Sequence, residues 1–273
     1  MTEPLITLTT DFGEGSPYVA AMKGVVLSIN PRARLLDLGH AIGPQDLRHA
    51  AFFLRSALPY FPAGTIHVIV VDPGVGTERA ALYVEAAGQR LLVPDNGCWA
   101  PFARGSAEPP RVRRLAEPRY WRPEVSATFH GRDVFAPTAA HLSLGVDPAL
   151  LGPAVADWVR LDFPDPVLAP DRLAGEVVFV DGFGNLITNI PAAAYADWAG
   201  RPVRVTVGER EVTRQVRTYG EAAPGTLVAL TSSVGTLEVA VVHGSAARQL
   251  EVGAGAHVVI QPRKPKAENR KPK

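Results

Sequence analysis

Four short apolar runs near the start of the chain each end at an aspartate. Asp11 follows LITLTT, Asp37 closes RLL, Asp72 follows IHVIVV and Asp95 follows LLVP. Short runs rich in β-branched residues read as strands. In open α/β sheets ligands gather at the carboxyl ends of strands, where loops leave the sheet and backbone groups are free. A single strand-end aspartate can equally serve as a turn or cap residue, but several in register make a functional carboxylate the better reading.

The spacing predicts strands over residues 5–10, 34–38, 65–71, 82–85 and 90–93. The first three are nearly continuous in apolar or β-branched residues, as expected of strands covered on both faces. Helical patterns lie between and after them. Residues 16–29 place Val19, Met22, Lys23, Val26 and Ile29 along one stripe, with Ser16 as N-cap and Pro31 blocking continuation. Residues 45–58, stopped by Pro59, and 136–144, closed by Gly145, form two more. Alternating strands and helices predict an α/β domain with a largely parallel sheet over residues 1–164.

Near residue 165 the texture changes. The proline-rich stretch FPDPVLAPDR precedes runs at 173–180, 203–207, 211–219, 227–230 and 237–242, separated by turn residues with little helical periodicity. That pattern predicts a smaller C-terminal all-β domain, barrel-like, over residues 165–262.

Charge adds an exclusion. Lys and Arg total 28 against 27 Asp and Glu, so the single-sign field of a nucleic-acid binder is missing. The balance conceals a segregation. Residues 263–273 hold six cations and one acid, leaving the body at about −4 by the same counting. This segment reads as a solvated, disordered basic tail. One cysteine, Cys98, forbids an internal disulfide, and no apolar run nears the length of a membrane span. A soluble cytoplasmic protein, binding neither nucleic acid nor membrane, is the expectation.

Three segments carry chemistry. In Asp72-Pro73-Gly74-Val75-Gly76-Thr77-Glu78-Arg79 the glycines permit close backbone approach, and Arg79 can return across the loop to Asp72. The following Lys-Ser/Thr of a triphosphate cradle is missing, and a turn held by an Asp-Arg pair is an equally simple reading. Thr128-Phe129-His130-Gly131-Arg132-Asp133 sets a base candidate beside a glycine ahead of a helix. The seven histidines form neither HxH nor HExxH, so no metal is expected. In the β half, Asp181-Gly182-Phe183-Gly184-Asn185 offers an amide for a base edge and a ring for stacking. Acids beside serines, Asp181 and Glu238 with Ser233, could hold an ammonium group. Hairpin turns would explain the same residues.

Together, TTDFG at 9–13, VVDPGVGTER at 70–79, PDNG at 94–97, TFHGRD at 128–133, DGFGNLITNI at 181–190 and SVGTLEVAV at 233–241 closely resemble the S-adenosyl-L-methionine (SAM) hydroxide adenosyltransferases. These SAM hydrolases are related to the fluorinating and chlorinating enzymes. The resemblance spans roughly residues 5–262. It implies an N-terminal α/β domain, a C-terminal β-barrel and a homotrimer with sites between the N-domain of one subunit and the C-domain of the next. The implied reaction is attack of water or hydroxide on ribose C5′ of SAM, giving adenosine and L-methionine, with SAM as substrate and no cofactor or metal.

By the same resemblance, Asp72, Arg79 and His130 position and polarise water, and Asp11 holds the ribose hydroxyls. Asn185, with Phe183 and the backbone around Val241, reads adenine; Asp181, Ser233 and Glu238 meet the methionine end. Halide-using relatives typically carry tyrosine at the place of Asp72 and serine at that of Gly131, so both positions here have the hydrolase form. Chemistry agrees, because a carboxylate repels a halide while water gains from an acceptor. An arginine paired with that carboxylate weakens it as a full base, which favours orientation and partial proton acceptance. A SAM-dependent halogenase and a non-catalytic adenosine or SAM sensor are the alternatives.

Overall fold

The computed structural model describes residues 5–162, 164–196, 198, 202–212 and 214–263. The chain divides into two compact units, Met1–Asp162 and Phe163–Lys273. The basic tail expected from the sequence lies outside the described residues from 264 onward. Arg263 itself is tied down, its N–H donating to Pro202 O at 2.7 Å and its guanidinium to Glu211 Oε1 at 2.6 Å.

The first unit is built on β1 (Leu5–Thr10), β2 (Arg34–Gly39), β3 (Ile66–Val70), β4 (Ala81–Ala86), β5 (Gln89–Pro94) and β6 (Arg111–Arg114). They form one sheet in the order β2-β1-β3-β5-β4-β6. β2, β1, β3 and β5 run parallel, while β4 and β6 close one side antiparallel. Side chains alternate across the pleat of β3 and the residue after it. Val68 and Val70 meet Met22 and Val26 of α1 (Pro17–Ile29), whereas Ile69 and Val71 face Ala50 and Leu54 of α2 (Leu47–Ala57). Phe102 of the short α3 (Ala100–Ala103) joins the second layer, and Ala139 and Ala140 of α4 (Ala136–Ser143) join the first. Two helical layers thus bury both faces of a central sheet, the arrangement parallel strands require.

Three local expectations need correction. β2 is not covered on both faces: it is an edge strand, mostly exposed or half-buried, with Leu36 open to solvent. Its apolar run matched a buried strand because sequence cannot show which strand lies outermost. Ser16 occupies the cap position of α1 but makes no capping bond, and its hydroxyl instead donates to Phe12 O at 3.3 Å. α2 begins at Leu47, where the Asp46 carboxylate accepts from His49 N at 2.9 Å and caps the first turn.

The second unit winds β7 (Val167–Ala169), β8 (Arg172–Val180), β9 (Leu186–Pro191), β10 (Val203–Val207), β11 (Arg210–Val212), β12 (Arg214–Gln215), β13 (Leu227–Thr231), β14 (Thr236–Val241) and β15 (His257–Pro262) into a nearly closed sheet. The order is β11-β10-β15-β8-β9-β14-β13-β12, with β7 beside β8. Its two outer edges, β11 and β12, are adjacent in the chain, so the segment read as one strand over 211–219 is broken. The chain leaves β10, crosses to pair with β13, and ends in a helical turn at Tyr219–Glu221. Val203, Val205, Val207, Leu237, Val239 and Val241 point inward with Tyr195 of α5 (Ala192–Ala196) and Leu250 of α6 (Ala246–Leu250). No helix among the described residues is long and apolar enough to cross a membrane.

One polar network runs through the N-terminal sheet. His67 of β3 is fully buried; its Nδ1 lies 2.7 Å from Thr7 Oγ1 of β1, and its Nε2 lies 3.4 Å from Gln89 Oε1 of β5. Gln89 Nε2 donates in turn to Phe61 O at 2.8 Å. The amide oxygen accepts from Nε2–H, so Nδ1 accepts from the threonine hydroxyl and the ring is neutral. Burial pushes the His67 pKa down to about 4, the Gln89 hydrogen bond opposing it. An unfolded histidine binds its proton near pH 6.5, so the folded state loses stability as pH falls below that value, until the folded ring also titrates near 4. Urea unfolding should show a loss of about 2–3 kcal/mol between pH 7 and 4.5 from this residue. His67→Asn should flatten that part of the pH profile, and an unchanged profile would show that His67 does not cause it.

Candidate active site

The parallel strands deliver their C-terminal ends to one edge of the sheet. Thr10 lies opposite Val70, so Asp11 and Asp72 leave neighbouring strands side by side. Asp72 is bound by Arg79 through two contacts, Nε to Oδ1 at 2.9 Å and Nη2 to Oδ2. Both side chains are almost fully buried, at 5% exposed for Asp72 and 10% for Arg79. The guanidinium lies over the Phe135 ring, 5.6 Å from its centre, and its Nη2 is 3.0 Å from His130 Nδ1. An arginine can only donate, so that ring nitrogen accepts and the remaining proton sits on Nε2. Burial first, and then the Arg79 charge, hold the His130 pKa below its ordinary value. Asp72, Arg79 and His130 therefore form one connected group comprising a paired carboxylate and a neutral imidazole.

Two features bring the distant His130 segment to this loop. Gly76 has φ +80°, and a Cβ there would stand 2.5 Å from Ala127 O, so the loop backbone seats directly on residues 126–128. Asp133 holds the segment from beneath. Its buried carboxylate accepts from Arg122 Nη1 at 2.9 Å, Ser126 N at 2.9 Å and Arg132 Nε at 2.7 Å. Burial alone would raise the Asp133 pKa, but hydrogen bonds from Arg132, Ser126 N–H and Arg122 outweigh it and keep the group ionised. The chain after His130 makes a π-helical turn, Gly131–Phe135, before α4 begins. Such turns are frequent at functional sites. Gly131 is pressed against Val70 and Met22, where a Cβ would lie 3.2 Å from the valine and 3.3 Å from the methionine sulfur.

The other strand-end acids have structural partners. Asp11 Oδ2 accepts from Gln45 N at 2.8 Å. Asp37 pairs with Lys23 at 2.5 Å and approaches His40 at 3.1 Å. Asp95 Oδ1 accepts from Val159 N at 2.9 Å. No group of three or more His, Cys, Asp or Glu side chains with metal-holding geometry occurs among the described residues.

In the second unit Asp181 organises its own turn. Its Oδ1 accepts from Phe183 N and Asn185 N, each at 2.9 Å, and its Oδ2 from Asn185 Nδ2 at 2.9 Å. Gly184, at φ +85°, lets this turn rest on Ser245 at the start of α6. Asn185 is thus held rigidly, while Phe183 projects into solvent at 79% exposed. Glu238 is buried, and burial raises its pKa, with the Tyr219 hydroxyl opposing at 2.5 Å and the charge of Asp181 adding to the rise. Ser233 is exposed in the turn before β14, and Val241 is buried with its carbonyl accepting from Gly244 N at 2.9 Å. Tyr219 was not singled out by sequence reasoning. It ends the run expected as a strand over 211–219 and sits in the helical turn Tyr219–Glu221, and only the fold brings it to Glu238.

Residues 6–152 match the SAM hydroxide adenosyltransferase N-terminal domain, and residues 175–259 match the C-terminal domain of the same family. The chain belongs to the SAM hydroxide adenosyltransferase family. It is 44% identical to the (R)-S-adenosyl-L-methionine hydrolase of Thermus thermophilus over 262 residues, covering 91% of this chain and 96% of that protein. A fluorinase of Nocardia brasiliensis is more distant, at 27% identity over 68% of this chain and 71% of its own length. The crystal structure of an uncharacterized conserved protein from Thermotoga maritima superposes with a TM-score of 0.88 at 35% identity, covering 94% of this chain and all of that one. In this family frame the Asp72, Arg79 and His130 group stands at the edge of the sheet where an α/β ligand site is expected.

The Gly76 contact generates a test. Gly76→Ala must open the gap to Ala127, costing about 1–3 kcal/mol of stability and loosening His130 from Arg79. An NMR titration should then show the His130 pKa rising toward its ordinary value. An unchanged titration would mean that this contact does not position the imidazole.

Proposed function

We propose that the chain is a SAM hydrolase that forms adenosine and L-methionine by in-line attack of water on ribose C5′. The observation that carries the reading is the buried Asp72–Arg79 pair joined to a neutral His130 at the ends of parallel strands. Its weight comes from a family whose curated relatives, at 34–44% identity over nearly the whole chain, are named (R)-S-adenosyl-L-methionine hydrolases.

The electron bookkeeping suits such a group. The water oxygen forms a bond to C5′, the C5′–S bond breaks, and its electron pair returns to sulfur as a neutral thioether. No general acid is needed for so good a leaving group; the demand is for position and for an acceptor of the water proton. The Asp72 carboxylate would accept from the water and the His130 Nε2–H would donate to its oxygen, fixing the lone pair toward carbon. Arg79 holds Asp72 in place through two hydrogen bonds and fixes the imidazole tautomer. A halide in the same place would face a carboxylate and gain nothing from it.

In this reading Asp11 offers its second oxygen to the ribose hydroxyls. Asn185 presents its amide oxygen and the second N–H of Nδ2 to the Hoogsteen edge of adenine, the first N–H being given to Asp181. Phe183 and the backbone around Val241 would flank the base, and Asp181, Ser233 and Glu238 would face the methionine end. The enzyme would act in the cytoplasm without metal or cofactor and assemble as a homotrimer, which sedimentation velocity of the purified protein checks.

Purified protein freed of bound nucleoside and mixed with SAM should yield equimolar adenosine and methionine, undiminished by EDTA. Binding without turnover would make it a sensor, and 5′-halo-adenosine formation in chloride or fluoride would make it a halogenase. Asp72→Asn should lower kcat at least about 100-fold with a far smaller change in KM. An equal loss in both would assign Asp72 to substrate binding.

A further inference from the structure

Three aromatic rings come together, two of them on the segments that carry Asp11 and His130. Phe12 follows Asp11, Phe129 precedes His130, and Tyr18 lies in the first turn of α1. Their centres are 5.5 Å apart for Phe12 and Tyr18, 5.8 Å for Phe12 and Phe129, and 5.3 Å for Tyr18 and Phe129. The rings stand at 68–77° to one another. Phe12 and Phe129 are rooted on the apolar core, and Tyr18 is half exposed. One of these rings already receives a cation, the Arg132 guanidinium, 4.9 Å from the centre of Phe129.

Charge makes the cluster informative. Asp72 is neutralised by Arg79, and His130 is uncharged, so the polar group offers no net negative charge to a cationic substrate. The sulfonium of SAM sits one bond from C5′, the carbon toward which, in the reading above, this group directs water. A sulfonium, like other onium ions, is held well by aromatic faces, which attract cations without hydrating or neutralising them. Besides Phe135, which already lies under Arg79, the rings on the site loops are those carried one residue from Asp11 and one residue from His130.

We propose that Phe12, Tyr18 and Phe129 form a specificity-determining aromatic face that binds the sulfonium, favouring the charged substrate over an uncharged thioether of the same shape. The inference rests on the SAM reading above. It also accounts for three rings at a strand-end site where loop packing alone would be served as well by aliphatic residues.

Tyr18 is the ring to change, because it is the most exposed of the three and lies outside the hydrogen-bonded group of Asp72, Arg79 and His130. Calorimetric binding of SAM and of S-adenosyl-L-homocysteine, its neutral thioether counterpart, is measured on the full-length wild type, Tyr18→Leu and Tyr18→Phe. Leucine keeps apolar bulk and removes the π face; phenylalanine restores the face without the hydroxyl. Tyr18→Leu should weaken SAM about fivefold relative to the homocysteine compound, and Tyr18→Phe should keep the wild-type ratio. Equal weakening of both ligands in Tyr18→Leu, or no weakening of either, would overturn the proposal. So would loss of the ratio in Tyr18→Phe, which would assign the effect to the hydroxyl. A wild type that binds neither ligand and makes no adenosine would instead defeat the SAM reading, and this inference with it.

Discussion

The Asp72–Arg79 pair is the contact on which the N-terminal site depends. A nearly buried ion pair survives only if its geometry is good and its remaining hydrogen-bonding capacity is used, because each charge has been taken from water. Here the pair sits at the end of β3, its guanidinium rests over Phe135, and its spare N–H meets His130. Each of those neighbours has its own support. Phe135 belongs to the π-helical turn before α4, and the His130 segment is anchored by Asp133 and seated on Gly76. Removing any one support would leave the others holding a charge without its full complement of partners.

This interdependence also explains the chemistry that the site can do. Arg79 holds the Asp72 carboxylate and makes Nδ1 of His130 an acceptor, so a single cation orients both groups. What remains is a proton acceptor and a neutral donor in a water-poor setting. Those two suffice when the leaving group departs uncharged. They would serve poorly where an anionic leaving group had to be protonated. The aromatic cluster supplies what the polar group lacks, an attraction for positive charge that carries no counter-charge of its own.

Much of the first unit was legible from periodicity. β1, β3, α1 and α4 lie within a residue or two of their expected positions, because long apolar stripes and prolines at element ends leave few alternatives. β6, with the sequence RVRR, escaped notice because an edge strand with one buried residue has no apolar run to read. β9 was hidden inside the DGFGNLITNI motif, where Gly and Asn drew attention to the turn and not to the strand that follows it. β2 misled in the opposite sense, its leucines suggesting a buried strand at what is the sheet's outer edge. The break between β11 and β12 depends on two sheet edges meeting, a non-local fact that no short window contains.

By itself the sequence determined the class of fold, the family, and the residue types available to the chemistry: strand-end acids, a glycine-rich loop with an arginine, a histidine beside a glycine, and a charge balance unsuited to polyanions. Those are properties of local pattern and of motif order, which survive without coordinates. Only the tertiary structure decided that Asp72, Arg79 and His130 share hydrogen bonds while Asp37 and Asp95 hold other parts of the chain. It alone decided that Tyr219 meets Glu238, and that Phe12, Tyr18 and Phe129 make one cluster. The physical reason is range. Hydrogen bonds and ring contacts act over a few ångströms, and residues 51 apart in the chain, like Arg79 and His130, come that close only when sheet register and loop packing bring them there.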